Sequence, residues 1–434
     1  MRRTQYCILA FSSLALAVAG LRARPSSPEY HIYAGNTHSH TEYTWSHGAQ
    51  YDNNGCVGIR VYGNSAENPD LYKWNDGYVK TNGKCPAMYV INSWQIPSSD
   101  IILRSNWQEL QGPPSKHFAL AKAAGFDFYT VSDHSQERAF NPPGPDNPAW
   151  LTTKKAAAEA TDSNFVALAG FEFSENDSPA GTGHLNVINT DSILNALERG
   201  NDLPHFYKWL ETAKPNGDGP VVASFNHPDK EQYNDWAYRD PEATNIITML
   251  EVINANNKIH YDAFIAALDK GWKVSPVSGL DNHGTQGIAK DQSRTFVLAQ
   301  SRTKAAILDA MKNRRTYAAL DKNIQCRYTV NGAIMGSTLN RPDTFNFDIL
   351  VSDPDTANPN DKITKIDIVG DGGAIVQSYS VPDPAYSVEW KPVIHDSTNK
   401  YFFVRVWNAS GGDVPGADPA KPVAWLAPVW TGRP

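Results

Sequence analysis

The stretch KHFALAKAAGFDFYTVSDH, residues 116 to 134, changes its period midway. Lys116 to Ala124 is helix-like and stops at Gly125, a residue suited to the turn at a helix end. Phe126 to Val131 then reads as a buried strand, and the polar Ser132-Asp133-His134 closes it. A helix feeding a strand with Asp and His at its end is one unit of an α/β fold. In parallel α/β architectures chemistry gathers at such strand ends.

The same unit recurs from about Tyr30 to Leu320. Further strands are expected at Phe165 to Phe173, Leu185 to Ile188, Val221 to Phe225, Ile247 to Ile253 and Lys273 to Ser278. Helices are expected at Leu151 to Ala160, His205 to Ala213, Tyr261 to Asp269 and Lys304 to Lys312. This alternation implies a mostly parallel sheet, long enough for a barrel. Residues 48–114 break the rhythm with Asn, Gly, Ser, Trp and Tyr, and read as an insertion over one face. Its Trp/Tyr-rich part, 71–109, either lines a substrate pocket or forms the insertion's own small core. After Leu320 the helical patterns end. Phe345 to Val351, Ile363 to Val369, Ser387 to Trp390 and Tyr401 to Trp407 alternate between Gly, Pro and Asp turns, which predicts a small all-β sandwich over 321–434.

The bulk numbers set limits. The chain has 434 residues, 41% of them hydrophobic, enough for two domains with a large core. Its net charge of -7 argues against nucleic acid as a partner. Arg2 and Arg3, the apolar run Cys7 to Ala19 and Ala17-Val18-Ala19 predict a signal peptide within 1–24 and export to the periplasm or beyond. That run is short of the ~20 residues a membrane span needs, so no stable span is expected. In an oxidising compartment Cys56 and Cys85 are natural disulfide partners, leaving Cys326 as a buried thiol.

The chemistry lies in recurring histidines and acids. His38-Ser39-His40 would point two imidazoles to one side of a strand. Phe171-Glu172-Phe173 sets a carboxylate in an apolar strand, where an unpaired charge is costly. Gly183-His184 opens a strand, Asn226-His227-Pro228 ends one, and Asp281-Asn282-His283 repeats the i, i+2 spacing. With His47, seven of the twelve histidines fall in this pattern. Satisfied core histidines would explain any one of them, but not their repetition at successive strand ends. Neutral imidazole with carboxylate suits Zn, Mn or Fe.

The order His-x-His, Ser-Asp-His, strand Glu, His, Asn-His-Pro, Asp-x-His resembles the polymerase-and-histidinol-phosphatase (PHP) family of metallohydrolases, over about Tyr30 to Leu320. The resemblance implies a distorted (β/α)7 barrel with two or three divalent metals. His38, His40, Glu172 and Asp281 would hold one; Glu172, His184 and His227 a second, with Glu172 bridging; His47, His134 and His283 a third. Asn36 stands where the family usually has Asp, and His47 where many members have Asp. Arg314-Arg315-Thr316-Tyr317 and the closing Ala424 to Trp430 look like exported members with a C-terminal β-domain, some of which resemble carbaryl-type carbamate hydrolases.

The function expected is hydrolysis of a small anionic ester by metal-activated water, with a phosphate ester as the first substrate class. Glu172, Asp281, Asp133 and Arg294 are the candidate catalytic residues. Asp133 could ligate metal or orient a ligand. Glu251, in a strand like Glu172, could support the site or form a structural pair. Arg294, like Arg138, could bind a phosphate oxygen; Arg294 could equally be a plain surface or inter-element residue. His117 and His260 read as structural. Two rivals stand beside this reading. One is a carbamate, carboxyl-ester or amide hydrolase on the same metals; the other is a secreted binding module with an inactive barrel.

Overall fold

The computed structural model describes residues 29–44, 111–174, 183–196, 202–237, 239, 241–285, 287–290 and 292–434, and the backbone of a hairpin pairing Val57–Ile59 with Asp76–Val79. The expected signal peptide, His47, the Cys56–Cys85 pairing, most of the insertion and the Arg138 side chain lie outside the described residues.

The strands that matter for the site are β1 (His31–Asn36), β2 (Ser39–His40), β3 (Phe128–His134), β4 (Val166–Ser174), β5 (His184–Ile188) and β6 (Val222–Asn226). They continue with β7 (Ile247–Asn254), β8 (Ser275–Ser278), β9 (Asn282–His283), β10 (Arg294–Ala299) and β11 (Thr316–Ala319). Helices α1 (Pro114–Ala123), α2 (Pro148–Ala160), α3 (Leu203–Thr212), α4 (Tyr261–Asp269) and α5 (Lys304–Lys312) lie between them. The fold is therefore mixed α/β around one large sheet, in the order β7-β6-β5-β4-β3-β1-β10-β11 with β8 on the free side of β7.

Two strands in this order run against the rest. β1/β3, β3/β4, β6/β7 and β7/β8 are parallel, but β5 runs antiparallel to both neighbours, and so does β10 between β1 and β11. For β5 the cause is loop length. Only residues 175–183 join β4 to β5, and a parallel return needs a crossover of a dozen or more residues.

Side chains two apart share a face, and the inner face changes character along each strand. Phe128 gives way to Thr130, Ser132 and His134; Val166 and Leu168 to Gly170 and Glu172; Val222 to Ser224 and Asn226. The apolar ends, with Ile188, Met249, Val277 and Val297, form one buried cluster sealed by Ile307, Leu308 and Met311 of α5. The polar ends gather at the opposite rim. β8 meets β10 and β11 through hydroxyls: Ser278 N donates to Thr295 Oγ1 at 2.7 Å, and Thr316 Oγ1 donates to the Pro276 carbonyl at 2.9 Å.

Beyond Lys312 the described residues form strands and short 3-10 turns. Gln325–Val330, Thr344–Ser352 and Ser387–Trp390 belong to a second sheet, and Phe345 and Phe347 of this sheet pack on Phe402 with ring centroids 4.8 and 6.0 Å apart. Phe402 lies in Tyr401–Asn408, which belongs to the first sheet: β11 pairs with Ala424–Leu426 (Tyr317 opposite Leu426), and that strand pairs with Tyr401–Asn408. The hydrogen-bonded ladder thus runs unbroken past Leu320. Cys326 is a free, buried thiol. No described helix is long and apolar enough to cross a membrane.

Candidate metal centre

Strand register assembles the site. β3 and β4 place His134 beside Glu172. β4 and β5 place Ser174 beside His184, and β5 and β6 place His184 beside Asn226, one residue before His227. Because β5 runs backwards, its first residue reaches the rim where the parallel strands end. His184 is therefore not at a strand C-terminus, although it meets residues that are. On the other side β2 and β9 pair in parallel, setting His40 beside His283, and Asp281 N donates to the His38 carbonyl at 3.0 Å. Asp281 takes a left-handed φ of 47°, which turns the chain between β8 and β9.

Glu172 sits at the centre and is fully buried. Its Oε1 faces His184 Nδ1 at 3.2 Å, His227 Nε2 at 3.3 Å and His38 Nε2 at 3.4 Å. Its Oε2 faces His134 Nε2 at 3.1 Å and His40 Nε2 at 3.7 Å. His38 Nε2 and His40 Nε2 are 3.0 Å apart, and Asp281 Oδ1 lies 2.8 Å from the His40 atom and 3.4 Å from the His38 atom. His40 also packs edge-on to His134 and beside His283, with ring centroids 4.5 and 4.2 Å away.

Burial opposes charge on each of these groups, and their neighbours decide the result. Against burial, Asp281, Glu251 and Glu172 hold His38 well above the usual imidazole range, and Glu172 lifts His227 to about 9. Burial and the nearby His134 pull His40 down to about 3, and burial lowers His184. Against burial, positive His38 and its companions keep Glu172 and Asp281 well below the carboxylate range. Without a cation the site is a set of ionised carboxylates facing a mixture of charged and neutral rings.

Three donor groups, His40/His134/His283, His38/His40/Glu172 and Glu172/His184/His227, each bring their ligand atoms within 4.8 Å of one another and could each hold a metal ion. The donor set fits: imidazole nitrogens converge on carboxylate oxygens, and buried His184 Nδ1 makes no hydrogen bond in spite of its approach to Glu172. The geometry groups His134 and His283 with His40, whereas the resemblance had grouped them with His47.

Surrounding residues hold the rings. Glu251 Oε1 contacts His38 Nδ1 at 2.8 Å, and Oε2 accepts from His227 N and Asn254 Nδ2, both at 2.8 Å. A carboxylate behind a histidine sets its tautomer and direction. Gly279 makes room for it, since a Cβ there would lie 1.9 Å from Glu251 Oε1. Asn36 accepts from Leu280 N at 2.9 Å and donates to the His38 carbonyl at 2.8 Å, a two-way link that an ionised Asp could not make.

Two expected catalytic residues have partners outside the group of donor atoms. Asp133 accepts from the backbone N–H and the hydroxyl of both Thr41 and Thr44, at 2.6 to 3.1 Å. It orders the loop after His40, and Thr44 Oγ1 in turn lies 3.2 Å from His40 Nδ1. Asp133 therefore acts on the cluster through that threonine. Arg294 lies 3.7 Å over the Phe126 ring and donates to the Ser293 carbonyl, which ties it to core packing. His117 meets the Gln111 carbonyl and His260 the Pro228 carbonyl, both structural contacts. Sequence reading passed over Asn226, whose Nδ2 donates to Glu172 Oε1 at 2.9 Å, and Thr44. Asn226 carried a signal, being the polar inner-face residue directly before a rim histidine.

No family model and no curated protein matches the chain. Among solved structures it is similar to a two-domain protein containing a predicted PHP-like metal-dependent phosphoesterase from Bacteroides vulgatus, at 16% identity. The match covers 92% of this chain and 95% of that one with a TM-score of 0.41. At that level the likeness assigns neither family nor chemistry.

Proposed function

We propose that the chain is an exported divalent-metal hydrolase of phosphate esters, with a PHP-type (β/α)7 barrel over 25–320 and a β-sandwich over 321–434. The observation that carries the chemistry is Glu172, a buried carboxylate whose two oxygens face five imidazoles. A carboxylate can serve two cations at once, while an imidazole nitrogen serves one. In this reading Glu172 joins the His184/His227 group to the His38/His40 group, Asp281 completes the latter, and His134 and His283 flank it; His40, whose Nδ1 faces Thr44, serves one group only. Bound divalent cations would supply an acidified water and neutralise charge on the ester oxygens. The chain's own part is to aim the imidazoles, through Glu251 and the Asp133–Thr44 link, and to keep Glu172 and Asp281 ionised.

The packing of Arg294 against Phe126 favours a second reading, a carbamate or carboxyl-ester hydrolase on the same metals, because a candidate phosphate ligand is engaged elsewhere. Elemental analysis of the purified protein, with assays on phosphomonoesters, phosphodiesters and carbamates, tests both. Two or three Zn, Mn or Fe per chain and chelator-sensitive phosphoesterase activity are expected. Carbamate turnover alone would select the second reading, and a metal-free active enzyme would sink both.

A further inference from the structure

A second group of acids lies far along the chain from the histidines. Asp321 follows β11, Asp361 ends a 3-10 turn before the strand Ile363–Val369, and Asp413 follows the strand Tyr401–Asn408. One carboxylate oxygen from each lies within 4.8 Å of the others. Asp353 joins them, and its negative charge acts on both Asp321 and Asp361. Asp321, Asp353 and Asp361 are 0%, 2% and 2% exposed.

Crowding alone would make no site, since acids often gather on loops. Here two buried oxygens, Asp353 Oδ2 and Asp361 Oδ1, accept no hydrogen bond. An unsatisfied buried carboxylate oxygen is costly, more so beside other carboxylates. Neighbouring oxygens are held in place: Asp321 Oδ1 accepts from Asn323 N and Ile324 N at 3.0 and 2.9 Å, and Asp353 Oδ1 from Asp355 N at 2.9 Å. Lys322 reaches Asp413 at 3.6 Å from a half-exposed position. Among the described residues no lysine or arginine pairs with Asp321, Asp353 or Asp361.

We propose that Asp321, Asp353, Asp361 and Asp413 bind a hard divalent cation of the calcium type. All-oxygen donors, none of them imidazole or thiolate, select such an ion over the metals suited to the histidine cluster. The ion joins segments distant in sequence, so its role is structural: it fastens the loops that flank Leu320.

The test uses the full chain, stripped with chelator and titrated with calcium chloride alone. Calorimetry should find one calcium per chain with Kd at or below about 1 mM, and saturation should raise Tm by about 3 °C or more. Asp361→Asn should abolish both effects while leaving the transition-metal content of the histidine cluster unchanged. That content separates this proposal from the hydrolase reading, since either can fail alone. An unchanged wild-type Tm at about 10 mM calcium, or an undiminished shift in Asp361→Asn, overturns it. Should Asp361→Asn not fold, Asp413→Asn, at a partly exposed position, should weaken calcium binding at least about tenfold, and unaltered binding there would be equally fatal.

Discussion

Replacing Glu172 with Gln probes the centre of the histidine cluster with the least change of shape. The amide keeps one acceptor oxygen but loses the negative charge and directs an NH2 at imidazole nitrogens 3.1 to 3.4 Å away. The size of the effect follows from what the carboxylate holds. Burial pulls His227 down, yet it is lifted from 6.5 to about 9, with Glu172 the leading cause in that direction. At 1.36 kcal/mol per pKa unit the net lift is roughly 3 kcal/mol after burial's opposing effect, and Asp281 and Glu251 also contribute to it. Losing a ligand placed to serve two cations should therefore remove at least one metal per chain and lower kcat/KM by about 10²- to 10³-fold or more. Inductively coupled plasma analysis counts the metal, steady-state hydrolysis measures the rate, and the imidazole NMR titration should show His227 falling towards 6.5. A Glu172→Gln protein with full metal content and normal turnover would refute the bridging role.

Three more outcomes are expected. Metal uptake near pH 7 should release about two protons, because His38 and His227 are held charged without a cation and must become neutral to ligate; apparent affinity should rise with pH until about 9. Calorimetry in buffers of differing ionisation enthalpy reads this, and metal binding without proton release would contradict it. Glu251→Gln should weaken metal affinity, measured by competition with a chelator, about 10- to 100-fold without changing the metal count at saturation, as expected for a residue that orients His38. Asp133→Asn should cost about 1 to 3 kcal/mol in chemical denaturation, because the amide cannot accept all four bonds from Thr41 and Thr44.

Much of the site was legible because it is encoded locally. A strand end with a polar or charged pair is visible as a short motif, and His38, His134, His227 and Asp281 each belong to one, while Glu172 shows as a lone acid between Phe171 and Phe173. Element ends were read less well. α2 begins at Pro148, ahead of the expected Leu151, because Asn147 caps it by accepting from Trp150 N, a signal carried by the Asn-Pro pair. The direction of β5 was missed because apolar patterning records burial and not polarity of the chain; the short link 175–183 held that information. The stacking of Arg294 on Phe126 was not legible, since the two are distant in sequence and nothing local announces it. Asp353 and Asp361 are invisible as a pair for a related reason: each stands in an ordinary turn sequence, and only the fold brings them to Asp321.

The ladder that passes from β11 into Ala424–Leu426 has a consequence for dissection of the chain. A cut after Leu320 would strip β11 of its partner and leave Tyr317, Ala318 and Ala319 as a raw, apolar sheet edge. Such an edge invites self-association. The N-terminal piece should precipitate or dimerise where the whole chain stays dispersed, and the intact protein should melt as one cooperative unit, the final strands serving the first half as a built-in chaperone.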